Sequence, residues 1–215
     1  MKGLLLKDWY QVRTSMKAMC LTVAFVLVIW VFSTSNAYVF PVSYAAVFLG
    51  ILPINLLAYD HASGWTEYSF ALPLSKELQV AEKYLVGLLC TAVSAALNGI
   101  FCGILFWMGK PLPAMPIGLL LGAGAASILL INGIMLPLYY RFGAEKARML
   151  YMLMFAGMGA ALGGGAVMDE LQQNGTGSVP LPVPLWLAAV LLLAVLALYA
   201  VSWRVSVAWY GKYKK

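Results

Sequence analysis

Charge is scarce in this sequence. Of 215 residues only 10% are charged and 63% are hydrophobic, where a soluble domain averages about 25% and about 45–50%. With a mean hydropathy of +0.86, the chain has too much apolar surface to hide from water. A bilayer accepts that surface, because a helix satisfies its own backbone hydrogen bonds there. Cysteine is equally sparse: Cys20, Cys90 and Cys102 all fall in apolar segments. They read as small hydrophobes and suggest neither a disulfide framework nor a metal site. There is a single histidine, His61, with no carboxylate cluster around it, which argues against metal binding and acid–base catalysis. No G-x-x-x-x-G-K-[ST] phosphate loop occurs, so the chain is not expected to bind ATP in that manner or to be an enzyme. The interiors of the apolar runs hold no Asp, Glu, Lys, Arg or His. Such groups are costly in lipid and mark proton or ion paths, so their lack argues against a proton-coupled antiporter and an intramembrane hydrolase.

Six apolar runs are present, at about 18–34, 39–58, 84–108, 117–138, 149–167 and 185–203. A span needs about 20 residues, so six use roughly 120 positions and leave only scattered loops. The expected fold is an all-α membrane protein, a single transmembrane domain over 1–215. Trp30, Tyr38, Trp107, Tyr139, Tyr140, Trp186 and Trp203 mark run ends, where aromatic rings prefer the headgroup level. The net charge of +6 would suggest nucleic acid in a soluble protein. Here the basic residues flank apolar runs, so topology explains them and no nucleic-acid partner is expected. With the N-terminus inside, the inner segments hold 13 of the 14 basic residues, leaving Lys110 outside. The positive-inside bias therefore predicts both termini in the cytoplasm of a multi-pass cell-membrane protein.

Residues 2–17 are too short to span. Leu5, Trp9, Val12 and Met16 recur at helical spacing, with Lys7, Gln11 and Thr14 opposite. The pattern predicts an interfacial amphipathic helix with its apolar face on lipid and its lysines near anionic headgroups. The start lacks the form of a cleavable signal peptide, since charges recur up to Lys17. Outer loops are expected near 35–38, 109–116 and 168–184, the last Gly- and Pro-rich.

The inner segment 59–83 is richer than a connector needs to be. Trp65, Tyr68 and Leu72 lie three and four apart, with Asp60, His61 and Glu67 around them. Pro73 stops that piece, and Ser75 is placed to cap a helix that starts at Lys76 and enters the third span. A short helix at such a break suits a lever against a soluble partner, or simply rests on lipid. Within the spans, Ser94, Asn98 and Cys102 share one face and Asn132 lies in the fourth run. The asparagines read either as interhelical glue worth about 0.6–2 kcal/mol or as polar contacts in a translocation path. Gly118 and Gly122 form G-x-x-x-G, and Gly157, Gly159, Gly163, Gly164 and Gly165 crowd the fifth run, marking close contacts within or between subunits. Met149, Met152, Met154 and Met158 give the fifth run a soft surface that suits a variable amphipathic substrate or plain packing.

The stretch Asp60, Gly64, Trp65, Tyr68, Leu72-Pro73-Leu74-Ser75, Val80 and Lys83-Tyr84, with the opening Met1-Lys2-Gly3-Leu4-Leu5-Leu6-Lys7-Asp8, resembles short type-2 ABC transporter permeases. Subunits of this size include those of exporters for amphipathic peptides such as phenol-soluble modulins. The resemblance implies a permease that pairs with a second copy and binds two cytoplasmic ATPase subunits, which would carry ATP and Mg. It also implies that Asp60, Gly64, Trp65, Glu67, Tyr68 and Leu72 belong to a coupling segment docked on the ATPase. The alternative is a non-transporting scaffold that recruits a soluble protein through the same 59–75 loop.

Overall fold

The computed structural model describes residues 2–15, 17–32, 39–71, 75–110, 117–172 and 185–210. Seven helices account for the regular structure among them: α1 (Lys2–Ser15), α2 (Lys17–Phe32), α3 (Val39–Ala62), α4 (Trp65–Ala71), α5 (Lys76–Trp107), α6 (Ile117–Gln172) and α7 (Leu185–Tyr210). Among the described residues four stretches are long and apolar enough to cross a membrane: Tyr44–Ala62, Lys76–Trp107, Ile117–Gly143 and Ala189–Tyr210. Cys20–Phe32 is equally apolar but shorter. The fifth apolar run forms the second part of α6.

α5 packs on α3, α6 and α7. Val80, Tyr84, Gly87, Cys90, Ser94, Asn98, Phe101 and Leu105 are buried along it, at the spacing of a helix with one inward stripe. One core cluster joins Val80 and Tyr84 to Leu57, Leu136, Tyr140 and Tyr210. Another joins Phe101 and Leu105 to Val23, Leu27 and Ala45. The opposite face of α7 turns Leu191, Leu193, Leu198 and Val201 outward, a surface suited to lipid rather than water. Cys90 and Cys102 are buried free thiols, and Cys20 is an exposed one.

Ser75 caps α5 as its position suggests: its Oγ accepts a hydrogen bond from the Leu78 backbone N–H at 3.3 Å. Three boundaries differ from the expected ones. The 59–83 segment is mostly helix, because α3 continues to Ala62 and α4 follows after a two-residue turn at Ser63 and Gly64. The 168–184 loop starts later, since α6 reaches Gln172. Between the apolar runs 117–138 and 149–167 α6 continues, interrupted at one residue, Gly143, with φ 81 and ψ 177. That conformation is open essentially to glycine alone. Gly143→Ala is expected to lower stability by about 1–3 kcal/mol, read as a drop in the melting temperature of the detergent-solubilised chain.

α1 is helical over Lys2–Ser15, nearly the whole of the 2–17 segment. Leu4 and Asp8, one turn apart, are the buried positions, while Trp9 is 63% exposed. Leu5 and Val12 pack against a core cluster containing Leu49, Leu52 and Leu56. The Lys7 ammonium donates to Asp60 Oδ1. Asp8, on the inward face of α1, accepts from the buried Lys83 ammonium. Met16 lies outside the described residues.

Candidate functional site

Where α1, α3 and α5 meet, five ionisable side chains converge. Asp8, Asp60, Glu82 and Lys83 are 3%, 4%, 4% and 2% exposed. The Lys83 ammonium donates to both Asp8 oxygens at 2.8 Å and meets Asp60 Oδ2 at 2.7 Å. Lys7 Nζ donates to Asp60 Oδ1 at 2.7 Å and lies 3.1 Å from Asp8 Oδ1. Each aspartate is thus held by two lysines, and each lysine bridges two aspartates. Charge-assisted bonds of this kind are about twice as strong as neutral ones. Their desolvation cost is correspondingly high, so the cluster holds only while complete.

α4 is seated directly on this cluster. Lys7 Nζ stands 4.7 Å from the centre of the Trp65 ring, a cation–π contact. Gln79 Nε2 on α5 donates to the Ser69 carbonyl at 3.2 Å, and the Tyr210 hydroxyl on α7 donates to Gln79 Oε1. Beneath the seat is a half-open cavity of about 70 Å³ whose lining includes Asp60, Trp65, Glu82, Lys83, Tyr140 and Tyr210. Gly64, at φ 72, supplies the left-handed turn that swings α4 away from the axis of α3. The outer side of α4 presents Glu67 and Tyr68, the latter 58% exposed.

The residues singled out from sequence therefore divide. Gly64, Glu67 and Tyr68 are exposed together, with Trp65 half-buried and its ring 5.5 Å from that of Tyr68. Asp60 is buried and bound to two lysines, so it anchors the seat rather than standing on the outer surface. His61 is exposed. Leu72 lies outside the described residues, as do the side chains of Met154 and Met158. Asn98 and Asn132 are buried but make no interhelical hydrogen bond among the described residues. Asn98 Nδ2 donates to Ser94 Oγ at 3.4 Å and Asn132 Nδ2 to the Ile128 carbonyl at 3.0 Å, each within its own helix. Interhelical bonds are made by other side chains: Tyr139 donates to the Leu57 carbonyl at 3.0 Å, Tyr199 to the Tyr84 carbonyl at 2.8 Å and Ser202 to the Gly133 carbonyl. A methyl group placed on Gly118 or Gly122 would meet nothing within 4 Å, so this pair makes no close contact within the described chain.

In the sequence Lys7 reads as the polar face of α1 and Lys83 as a topological charge, Asp8 stands in the opening stretch with no role of its own, and Glu82 carries no signal. For Lys83 a signal was available in the register of α5: it falls on the same inward stripe as Val80, Gly87 and Cys90.

A family model described as ABC-2 family transporter protein matches residues 3–211. No match is found among curated proteins or among solved structures. The match spans every helix described above, the α4 seat included, and the chain belongs to the ABC-2 family of transporter membrane proteins.

Proposed function

We infer that this chain is the permease subunit of an ATP-driven exporter, with α4 as the element that docks a separate cytoplasmic ATPase. The observation that carries this reading is the seating of α4. It is tied through Trp65 to Lys7 on α1 and through Ser69 to Gln79 on α5, while Tyr68 and Glu67 face outward. A displacement of α4 by a soluble partner would thus be passed to several helices at once. ATP and Mg belong to that partner. Six spans, with α2 and the second part of α6 completing the set, place both termini and α4 on the cytoplasmic side of the cell membrane. That orientation rests on the positive-inside bias.

The functional unit is two copies of this chain with two ATPase subunits in a lipid bilayer. The open strip at Gly118 and Gly122 suits close approach of a second copy. The cargo is hydrophobic or amphipathic, with peptides the leading class, because the spans are apolar and an ion would need charged or carbonyl-lined sites.

Exposed aromatic anchors carry much of an interface's energy. Tyr68→Ala is expected to weaken ATPase binding by roughly 30-fold, equivalent to about 2 kcal/mol, while the melting temperature of the free chain stays unchanged. Unaltered affinity in both Tyr68→Ala and Glu67→Gln would remove α4 from the interface. An exporter complex should also hydrolyse ATP faster when amphipathic peptide is added. A scaffold that merely recruits a soluble protein through this segment would show no response.

A further inference from the structure

α6 and α7 leave a groove between them. Its volume is about 400 Å³, many times the roughly 30 Å³ share of one water, so it is no small packing fault in a dense interior. Leu130, Ile134 and Leu138 form its α6 wall, and Leu198, Val201 and Val205 its α7 wall. Leu130, Ile134, Leu198 and Val201 are exposed, so the groove opens outward from the bundle. The polar groups at its floor are already satisfied: Ser202 donates to the Gly133 carbonyl and Tyr199 to the Tyr84 carbonyl. Along this length the groove suits an apolar occupant.

One end is different. Trp209 lines the groove there, and the Arg141 guanidinium lies 4.9 Å from the centre of its ring and 5.1 Å from that of Phe142. Arg141 follows Pro137 by four residues and Leu138 by three, so it continues the α6 wall by one turn. It is exposed, and among the described residues no carboxylate pairs with it. Stacking on a ring occupies the face of a guanidinium and leaves its in-plane N–H fork free, the geometry that matches a phosphate. Arg141 and Trp209 also stand near the ends of their apolar stretches, Ile117–Gly143 and Ala189–Tyr210, where an indole marks the headgroup level. An apolar trough at hydrocarbon depth therefore ends on a fixed cation at headgroup depth. A second copy of this chain fits less well. Paired about a two-fold axis through the groove, it would bring its own Arg141 to the same depth, like charge beside like charge.

We propose that the α6–α7 groove is a binding site for one anionic phospholipid, with an acyl chain between the two helices and the phosphate on Arg141. The site requires only that the chain spans a bilayer, and it does not rest on the ATPase, the cargo or transport.

The test uses the full chain, delipidated in maltoside micelles and titrated with dioleoyl phosphatidylglycerol or dioleoyl phosphatidylcholine. Native mass spectrometry counts the lipid retained. Wild type should take up one phosphatidylglycerol saturably and in preference to phosphatidylcholine, whose choline offsets the phosphate charge. Arg141→Gln, a substitution at an exposed position, should bind phosphatidylglycerol roughly fivefold more weakly, the scale of one basic side chain at an anionic surface, and should lose the preference. Val201→Trp, which fills the groove and keeps Arg141, should weaken binding of both lipids. The melting temperature of each variant without lipid checks that it is folded. Equal phosphatidylglycerol affinity in wild type and Arg141→Gln would overturn the site, as would a wild type that does not distinguish the two lipids. Glycerol phosphate that competes as well as the whole lipid would reduce Arg141 to a plain anion site and overturn the groove's part in it. Dimers lost in Val201→Trp with lipid affinity unchanged would make the groove a contact between copies, which overturns the proposal equally.

Discussion

Lys83→Met is expected to be the most damaging single substitution in the chain, lowering stability by about 3–5 kcal/mol. Lys83 is 2% exposed and is the one group bonded to both Asp8 and Asp60 with all its donors. Methionine fills a similar volume, so the packing loss is small. The loss comes from leaving Asp8, Asp60 and Glu82 buried around the single cation Lys7. Removing one member of a buried pair costs more than the pair was worth, because the partner's desolvation is no longer offset. Two further outcomes separate this cause from lost packing. Asp8→Asn combined with Lys83→Met should recover part of the melting temperature, since one orphaned carboxylate is gone. Added salt should change the wild-type value little, as buried pairs are weakly screened. A Lys83→Met protein that melts like wild type would mean the cluster contributes nothing to stability.

Gly87→Ala is expected to cost about 1–3 kcal/mol through overpacking. A methyl group at Gly87 would collide with the Tyr199 hydroxyl and sit 3.6 Å from Tyr199 Cζ and 3.7 Å from Asn132 Cγ. Glycine is needed here because Tyr199 reaches over α5 to donate to the Tyr84 carbonyl one turn before Gly87. The crowding is confined to one oxygen atom, so Tyr199→Phe should relieve it. The double variant Gly87→Ala with Tyr199→Phe should be more stable than Gly87→Ala alone, a coupling readable from a double-mutant cycle of melting temperatures. Additive effects of the two substitutions would place the cost in the helix itself rather than in the α5–α7 contact.

Composition and local chemistry made much of the architecture legible in the sequence. The apolar runs at 39–58, 84–108, 117–138 and 185–203 lie on the four long apolar helices. The start of α5 was readable because Pro73, Ser75 and Lys76 follow local capping rules that need no tertiary context. Gly143 was not recognised as a single-residue break, since surrounding charges at Arg141, Lys146 and Arg148 resemble a solvated connector. The ionic cluster was missed for a different reason. Lys7 and Asp60 are 53 positions apart and Asp8 and Lys83 are 75, and no local pattern joins them. Each of these charges lies near the end of an apolar run, a position that topology alone explains and that gives no sign of their neutralising one another inside. Asp60 shows the consequence: grouped by sequence with the docking residues, it supports them from beneath.

The coupling of this chain to an ATPase is the claim from which the rest of the functional account follows. It is tested most directly by mild-detergent pull-down of the tagged full chain from its native membrane, with mass spectrometry of the proteins retained. The account predicts a cytoplasmic ATPase in stoichiometric amount, reduced when Tyr68 is replaced by alanine. Repeated recovery of the intact, folded chain without any ATP-hydrolysing partner would contradict it.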